Sequence, residues 1–344
     1  RDFFQTIASL SFESGYPYVI FEDNINKANN VDGYINMSNL CVEIMQVSTD
    51  SIMNEDLSYD KVGNDISCNL ASLNIAKVME GGDLAGTVDT SIRALTSVSE
   101  FLNIPAVPTI NKANSEGHAI GLGQMNLAGF FAKEKMIYGD TESIDFTNIY
   151  FYTVAYYAYK ASNQLAQEKE QTFYGFGKSK YADGTAFEKY VYNDWTPQTV
   201  KVRGIFEKYG IEIPSRSDWA ELSLSIQFSG LYNQNLQAVA PTGSISYVNH
   251  SSASILPFID KVETRKEGKT GRIYVPAPYL TDDNTEYYID AYTVGPEKII
   301  DVVAAAQQHV DQSISMTLFY PDTATTKDVN KSYIYAWKKG LKSV

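Results

Sequence analysis

Residues 297–320 read EKIIDVVAAAQQHVDQSISMTLFY, and this stretch decides the fold class. Its first part has apolar residues at helical spacing, which predicts a helix from Glu297 to Ser313. The short apolar run Ser315 to Tyr320 follows, and similar runs occupy Ala238 to Ala240 and Ile245 to Val248. Short apolar runs that alternate with helices indicate an α/β architecture.

The rest of the chain continues this alternation. The same periodicity predicts three further helices, at Thr87 to Asn103, Thr147 to Gln171, and Thr326 to Lys339, the last capped by Thr325 or Thr326 and ended by Gly340. Extended segments are predicted at Tyr16 to Phe21 and at Ile35 to Gln46. Tyr174 to Ser217 has few periodic signals and is interpreted as an insertion or an exposed helical excursion. No repeat or linker interrupts residues 1–344, so one domain is predicted.

Composition limits the class of protein. With 344 residues, 44% of them apolar and 20% charged, the chain is long enough to bury a sizeable core. The net charge of −13 disfavours direct nucleic-acid binding, although backbone N–H groups and hydroxyls can still bind a small phosphorylated ligand. Cys41 and Cys68 are too few for a disulfide framework and favour a reducing, cytoplasmic compartment. No signal peptide is recognised, and the apolar runs are shorter than the roughly 20 residues that a bilayer crossing needs.

The segment Asn39 to Glu43 is the first candidate for chemistry. In an extended chain alternate side chains point the same way, so Asn39, Cys41 and Glu43 would share one face. Leu40 and Val42 would anchor the other face. An amide, a thiol and a carboxylate together supply a reactive sulfur, a base and a group that orients a hydroxyl. Alternation by itself favours the simpler interpretation, an edge strand with a polar face.

Two other segments each have two interpretations. Cys68 is either a buried cysteine that acts as a small hydrophobe or a redox thiol. Residues 241–246 combine a glycine with three hydroxyls, and they form either an ordinary turn or a loop that donates N–H and O–H groups to a phosphate. The members of that segment are Pro241, Thr242, Gly243, Ser244, Ile245 and Ser246.

Other motifs are set aside. Gly121 to Asn126 imitates a dinucleotide fingerprint, but Asn126 replaces the third glycine and no acidic residue follows at the expected distance. Tight packing at a turn is the preferred interpretation. His118, His250 and His309 lack the close pairing of a metal motif, so no metal site is predicted. A hydrolase that pairs Cys41 with a histidine is disfavoured.

Six segments together resemble the large subunit of class I ribonucleotide reductases, most closely the class Ib branch. They are Ser14 to Tyr18, Met37 to Glu43, Asp65 to Leu70, Lys112 to Glu116, Ala240 to Ser246, and Ala336 to Ser343. They follow the order of that family and cover nearly the whole chain. The resemblance implies a ten-stranded α/β barrel, present here as its C-terminal portion, with the radical cysteine on a loop through its centre.

The resemblance also implies a role for each candidate residue. Cys41 is implied to become the thiyl radical that removes the 3′ hydrogen of a ribonucleoside diphosphate. Glu43 is implied to be the base for the 3′ hydroxyl, and Asn39 a hydrogen-bonding partner of the ribose. Cys68 resembles one of the two thiols that reduce the ribose and end as a disulfide. The segment from Pro241 to Ser246 is implied to bind the substrate, with its hydroxyls holding the diphosphate.

Partners are implied in the same way. A small subunit with a dimanganese or diiron centre would supply the radical, a thioredoxin- or glutaredoxin-like protein would supply electrons, and the complete large subunit would be a homodimer. No cofactor is expected in this chain, and allosteric nucleotides are expected to bind elsewhere. The partner thiol of Cys68 and a C-terminal tail are expected outside residues 1–344. The chain is therefore predicted to be one piece of a split or interrupted subunit, inactive alone.

Two alternatives keep a similar fold without this activity. One is a catalytically inactive nucleotide-binding or structural remnant. The other is a glycyl-radical enzyme, which is disfavoured because Gly340 lies where a helix ends and not in a radical segment.

Overall fold

The computed structural model describes residues 2–267 and 271–344, along which helices alternate with short strands. The helices are α1 (Asp2–Ser14), α2 (Glu22–Ala28), α3 (Ile75–Gly81), α4 (Leu84–Phe101), α5 (Pro108–Gly117), α6 (Leu127–Lys133), α7 (Thr141–Lys169), α8 (Glu188–Val191), α9 (Val200–Tyr209), α10 (Arg216–Ser229), α11 (Gly243–Val248), α12 (Ala291–Val294), α13 (Pro296–Gln307) and α14 (Thr326–Lys338). The strands are β1 (Ile52–Met53), β2 (Tyr59–Lys61), β3 (Leu70–Asn74), β4 (Gly121–Met125), β5 (Val262–Glu267) and β6 (Gly271–Pro276). Single 3-10 turns occupy Phe176–Lys178, Thr185–Phe187 and Thr285–Tyr287.

The four helices predicted from periodicity are confirmed, as α4, α7, α13 and α14. Thr325, one of the two predicted caps, begins α14 in a capping box with Asp328, and Gly340 follows the helix at a φ of 81°. Helix α13 ends earlier than predicted. Its backbone turns away after Gln307, and the Gln312 N–H donates to the Gln237 carbonyl at 3.2 Å instead of continuing the helix.

Parallel backbone segments form the layer that positions the site. Strands β3 and β4 pair in parallel. The segment 235–239 lies along the other edge of β4, where the Leu122 N–H donates to the Leu236 carbonyl at 2.8 Å. Val239 in turn forms a parallel bridge with Ile314. Within residues 2–267 and 271–344 no sheet closes into a barrel, but the α/β architecture with parallel strands is confirmed.

Glycine is needed where β4 meets its neighbour. A Cβ atom added to Gly123 would lie 2.5 Å from the Ala238 carbonyl oxygen, so any larger residue would push the two backbones apart. All five residues of β4 are buried. The segment Gly121 to Asn126 therefore packs tightly as predicted, but on a buried strand and not at a turn.

Helix α7 lies at the centre of the helical layer, where α4, α9, α10 and α13 contact it. Its apolar character on most sides reflects burial against these neighbours. Aromatic rings fill the space around it. Trp219 stacks on Tyr190 with ring centroids 4.0 Å apart, and Tyr152 lies 5.9 Å from the same indole. Many of the tyrosines and phenylalanines thus pack in this core.

The last residues of the chain lie against residues 19–21. Val19 and Val344 exchange backbone hydrogen bonds at 2.9 and 2.8 Å, and Nζ of the buried Lys342 donates to the carbonyl oxygens of Asp311 and Gln312, both at 2.6 Å. These contacts join the C-terminal segment to the parallel layer.

Two predicted extended segments and one short apolar run of the alternating pattern need correction. Tyr16 to Phe21 forms a single bridge, Ile20 to Ser343, before the acidic first turn of α2 begins at Glu22. Ile245 to Val248 lies inside α11, because the Ser246 N–H donates to the Thr242 carbonyl at 3.0 Å. Ile35 to Gln46 is interrupted by a turn, described below. Tyr174 to Ser217 is helical, since it contains α8, α9 and the start of α10, but it is not an exposed excursion, because Tyr181, Phe187 and Phe206 are buried in the core.

Candidate active site

Cys41 lies in a tight turn and not on an extended strand. The Val42 N–H donates to the Asn39 carbonyl at 3.1 Å, and Val42 has a φ of 58°, which a β-branched residue rarely adopts. The prediction that Asn39, Cys41 and Glu43 share one face of an extended strand is therefore wrong. Leu40, predicted to anchor the opposite face, is 74% exposed, whereas Val42 is buried.

The turn still brings two of the predicted groups into contact. Asn39 Nδ2 donates to Glu43 Oε2 at 2.8 Å, and the Glu43 side chain is buried. Asn39 Oδ1 accepts from the Ile44 N–H at 3.1 Å, while the Ser38 hydroxyl donates to the Ile44 carbonyl at 2.8 Å. The Asn39 amide consequently holds the Glu43 carboxylate in one orientation, and the backbone N–H of Ile44 holds the amide.

The two cysteines and Glu43 share one electrostatic environment. Burial raises the pKa of the Cys41 thiol, and the negative charge of Glu43 raises it further. The pKa of the Cys68 thiol is raised by burial first, then by Glu43 and by Cys41. Both cysteines are free. The raised pKa values keep both sulfurs protonated at neutral pH, which suits donors of hydrogen atoms better than nucleophilic thiolates.

Cys68 is accessible to solvent. Its side chain is exposed, although the surrounding protein is close enough to raise its pKa. The alternative of a buried cysteine that acts as a small hydrophobe is therefore wrong for this residue.

A cavity of about 390 Å³ opens beside Cys41. Its lining includes Tyr18, Cys41, Pro241, Met316 and Val344. This volume is in the range of small-molecule sites. Pro241 also belongs to the hydroxyl-rich segment, so this segment adjoins the cavity. Among the described residues, Glu43 and Cys68 do not line it.

The hydroxyl-rich segment forms the start of a short helix. Thr242, at a φ of 54°, precedes α11, and its hydroxyl accepts from the Ser254 N–H at 2.7 Å. The Ser246 hydroxyl donates to the Gly243 carbonyl at 2.9 Å. These two buried hydroxyls therefore stabilise the segment itself. Gly243 and Ser244 are exposed, and the first-turn N–H groups of a helix have no intrahelical acceptor, so the backbone is what this segment offers to an anion.

Sequence reasoning missed an asparagine network that holds α11, in which Asn74 and Asn126 are buried. Asn126 Nδ2 donates to Asn74 Oδ1 at 2.9 Å, and Asn74 Nδ2 donates to Asn249 Oδ1 at the end of α11, also at 2.9 Å. Asn126 Oδ1 accepts from the Ser252 N–H at 3.0 Å. Asn74 is the last residue of β3 and Asn126 directly follows β4, so the carboxyl ends of two parallel strands fix the helix. The only sequence signal was an asparagine between an apolar run and a helix.

The described residues contain no group of three or more His, Cys, Asp or Glu side chains placed to hold a metal ion.

Among the helices of residues 2–267 and 271–344, none combines the length and the apolar character that a membrane span requires.

Comparisons with known proteins cover the whole chain. The family model for the ribonucleotide reductase barrel domain matches residues 1–344. The chain is 55% identical to the ribonucleoside-diphosphate reductase subunit alpha of Mycoplasma pneumoniae, over all of this chain and 48% of the relative. It is 41% identical to the subunit of the same name from Bacillus subtilis, over all of this chain and 49% of the relative. The chain spans about half the length of the curated relatives it matches.

Proposed function

Because this chain belongs to the ribonucleotide reductase barrel-domain family, an α/β barrel-type fold, we propose that it takes part in reducing ribonucleoside diphosphates to 2′-deoxyribonucleoside diphosphates. The observation that carries the proposal is the contact of Asn39 with Glu43 across the turn that holds Cys41. The electrostatic influence of Glu43 on Cys41 and Cys68 adds support. The relatives carry the name of this reductase.

The residues of the site have complementary tasks in this reaction. A Cys41 thiyl radical takes the hydrogen atom from C3′ and forms an S–H bond, while Glu43 accepts the proton of the 3′ hydroxyl. The 2′ hydroxyl then leaves as water. Cys68 and a second thiol supply two electrons and two protons and become a disulfide, and Cys41 returns its hydrogen to C3′. The net change is substrate plus two thiols to product, water and disulfide.

The protonation state of the cysteines fits these tasks. A hydrogen donor must carry its hydrogen at working pH, and the raised pKa values of both thiols favour the S–H form. Asn39 orients Glu43 in the resting site and is proposed to share its amide with the ribose hydroxyls. The second thiol of the pair is proposed to come from an earlier part of the large subunit.

The diphosphate is proposed to bind at the start of α11. Thr242 and Ser246 stabilise the segment through their own hydrogen bonds, so the N–H groups of Gly243, Ser244 and Ile245 remain to contact phosphate oxygens. Pro241 lines the same cavity as Cys41, which supports one ligand reaching both. Binding by backbone dipoles suits an anion in a chain with a net charge of −13.

The wider assembly is also part of the proposal. The parallel segments around β3 and β4 would complete a ten-stranded barrel of the class Ib type with the remainder of a large subunit. A metal-containing small subunit, with dimanganese or diiron, would supply the radical, and a thioredoxin- or glutaredoxin-like protein would reduce the disulfide. The complete large subunit would be a homodimer in the cytoplasm.

Reconstitution tests the proposed function. The complete large subunit that carries this chain, mixed with its small subunit and a dithiol, should convert ribonucleoside diphosphates to deoxyribonucleotides. Cys41→Ser should abolish product formation while substrate binding, measured by calorimetry, persists. A wild-type assembly that binds the diphosphate without reducing it would instead identify an inactive nucleotide-binding remnant.

A further inference from the structure

The exposed Cys68 lies between two buried polar residues. Ser67 is 2% exposed and Asn69 is 7% exposed, and both precede β3. Buried backbone N–H and C=O groups need hydrogen-bond partners. Here side chains supply several of them, so the backbone on both sides of the thiol is attached to the protein interior.

The Gln46 side chain hydrogen-bonds both backbone groups of Ser67. Its Oε1 accepts from the Ser67 N–H at 2.8 Å, and its Nε2 donates to the Ser67 carbonyl at 2.8 Å. The Gln46 side chain is itself buried. One uncharged amide thus reproduces the two hydrogen bonds that a neighbouring strand would make in a hydrogen-bonded pair.

A second glutamine fixes the orientation of the first. Gln46 Nε2 also donates to Gln312 Oε1 at 3.0 Å, and Gln312 Nε2 donates to the Ile120 carbonyl at 2.8 Å. Gln312 has no exposed surface. The amide of Gln46 therefore cannot turn over without losing bonds at both ends, and Ser67 is linked to the start of β4.

Asn114 holds the other side of the thiol. Its Oδ1 accepts from the Ser67 hydroxyl and from Asn69 Nδ2, the latter at 3.1 Å. Asn69 Nδ2 also donates to the Ala119 carbonyl at 3.2 Å. The residues before and after Cys68 are consequently immobilised, while the thiol itself faces solvent.

Gln46 follows Glu43 by three residues on the segment that carries the Cys41 turn. We propose that Gln46 is a positioning residue that fixes Cys68 relative to Glu43 and Cys41. One short segment then sets the place of all three groups: two by its own backbone, and Cys68 through the side chain of Gln46. The effect on the reaction rests on the proposed function, whereas the effect on the position of Cys68 does not.

Thiol reactivity in the full chain tests the position directly. Iodoacetamide alkylates both cysteines, peptide mass spectrometry separates Cys41 from Cys68, and the ratio of the two rates is an internal standard. Gln46→Ala should raise the Cys68-to-Cys41 ratio about 5-fold or more, because the released backbone no longer holds the already exposed thiol near Glu43, whose charge raises its pKa. An unchanged ratio in the folded variant overturns the proposal.

Two further variants test whether misfolding, or the loss of any buried glutamine, could explain the result. Gln46→Met keeps the side-chain volume and loses every hydrogen bond, so it should raise the ratio as well even if Gln46→Ala fails to fold. Gln237→Ala removes a different buried glutamine, whose Nε2 donates to the His309 carbonyl, and should leave the ratio unchanged. An equal rise in Gln237→Ala, or a wild-type ratio in Gln46→Met, overturns the proposal.

Kinetics of the reconstituted reductase separate positioning from substrate binding. Gln46→Met should lower kcat about 10-fold at an unchanged KM for the diphosphate, because Cys68 acts after the substrate is bound. Exchange of the 3′ hydrogen, which depends on Cys41, should persist. A raised KM with unchanged kcat contradicts the proposal. If the wild-type assembly forms no product, the proposed function fails, and the alkylation ratio still decides where Gln46 acts.

Discussion

Asn39 Nδ2 lies 2.8 Å from Glu43 Oε2 and donates a hydrogen bond to this carboxylate across the Cys41 turn. Glu43 is only 2% exposed. A buried carboxylate is costly unless it is hydrogen-bonded. Asn39→Ala should therefore lower the free energy of unfolding by about 1 to 3 kcal/mol. In the reconstituted reductase it should also reduce kcat about 100-fold, because the base is no longer oriented.

Urea unfolding and steady-state kinetics check this prediction. The exposed Asn36, on the same segment, offers a matched control, and Asn36→Ala should change neither quantity appreciably. Wild-type kcat in Asn39→Ala would remove Asn39 from the proposed machinery.

Gly243 allows a test of diphosphate binding that leaves the fold intact. A Cβ atom added there would meet no protein atom within 4 Å, so Gly243→Ala should not lower the Tm. The methyl group would nevertheless approach a phosphate bound at the start of α11. The KM for the diphosphate should rise about 10-fold or more, as expected for losing one hydrogen bond to a charged group.

Gly204→Ala serves as the control for this variant. It also adds a Cβ in open space, but on α9 and outside the site. Similar KM values for Gly243→Ala and wild type would mean that the diphosphate binds elsewhere.

Asn126 combines a left-handed backbone with a buried side chain that belongs to the asparagine network holding α11. Its φ is 71°, and its side chain bonds Asn74 and the Ser252 N–H. Asn126→Ala should reduce the free energy of unfolding by about 2 to 4 kcal/mol. Asn126→Gly loses the same bonds but tolerates the positive φ. Its free energy of unfolding should therefore be about 1 kcal/mol higher than that of Asn126→Ala. Chemical denaturation of both variants measures the difference, and a less stable glycine variant would contradict it.

Lys342 should make stability depend on pH. Burial lowers its pKa to about 7, with Asp311 opposing the change and Lys189 adding to it. The unfolded amine titrates near pH ~10.4, so between these two values the unfolded state binds more protons. The free energy of unfolding should therefore rise with pH from about 7 towards 10, by at most about 1.4 kcal/mol per pH unit from this group.

Replacement of the Lys342 amine tests whether this group causes the pH dependence. Lys342→Met should flatten the pH dependence of unfolding measured in urea. Lys338→Met, which changes an exposed lysine on α14, should leave the dependence as in the wild type. An equally steep profile in Lys342→Met would assign the pH dependence to another group.

Local signals explain why the long helices were predictable. Thr325, Asp328 and Gly340 mark the ends of α14 within a few residues of it, and the apolar period of α4 depends on no distant partner. The C-terminal end of α13 was less predictable, since the Gln312 N–H donates to Gln237 on another segment instead of continuing the helix.

The geometry of the candidate site, unlike the long helices, could not be predicted from local sequence signals. Alternation placed Asn39 and Glu43 together, and they do touch, but a turn and not a strand joins them, because Val42 adopts a positive φ that no alternation reveals. Gln46 and Asn126 act through partners far along the chain. Buried amides of this kind carry no local pattern, and only the fold identifies their acceptors.

The exchange of hydrogen bonds between Val19 and Val344 has a consequence for biosynthesis. These residues are separated by almost the whole chain, and Tyr18 and Val344 both line the cavity beside Cys41. Contacts of such high sequence separation are entropically expensive and tend to form late. A nascent polypeptide on the ribosome therefore exposes Cys41 to the surrounding solution until the segment around Val344 has been synthesised and has paired with Val19. Oxidative damage to this thiol should be greatest during synthesis and before the native cavity closes.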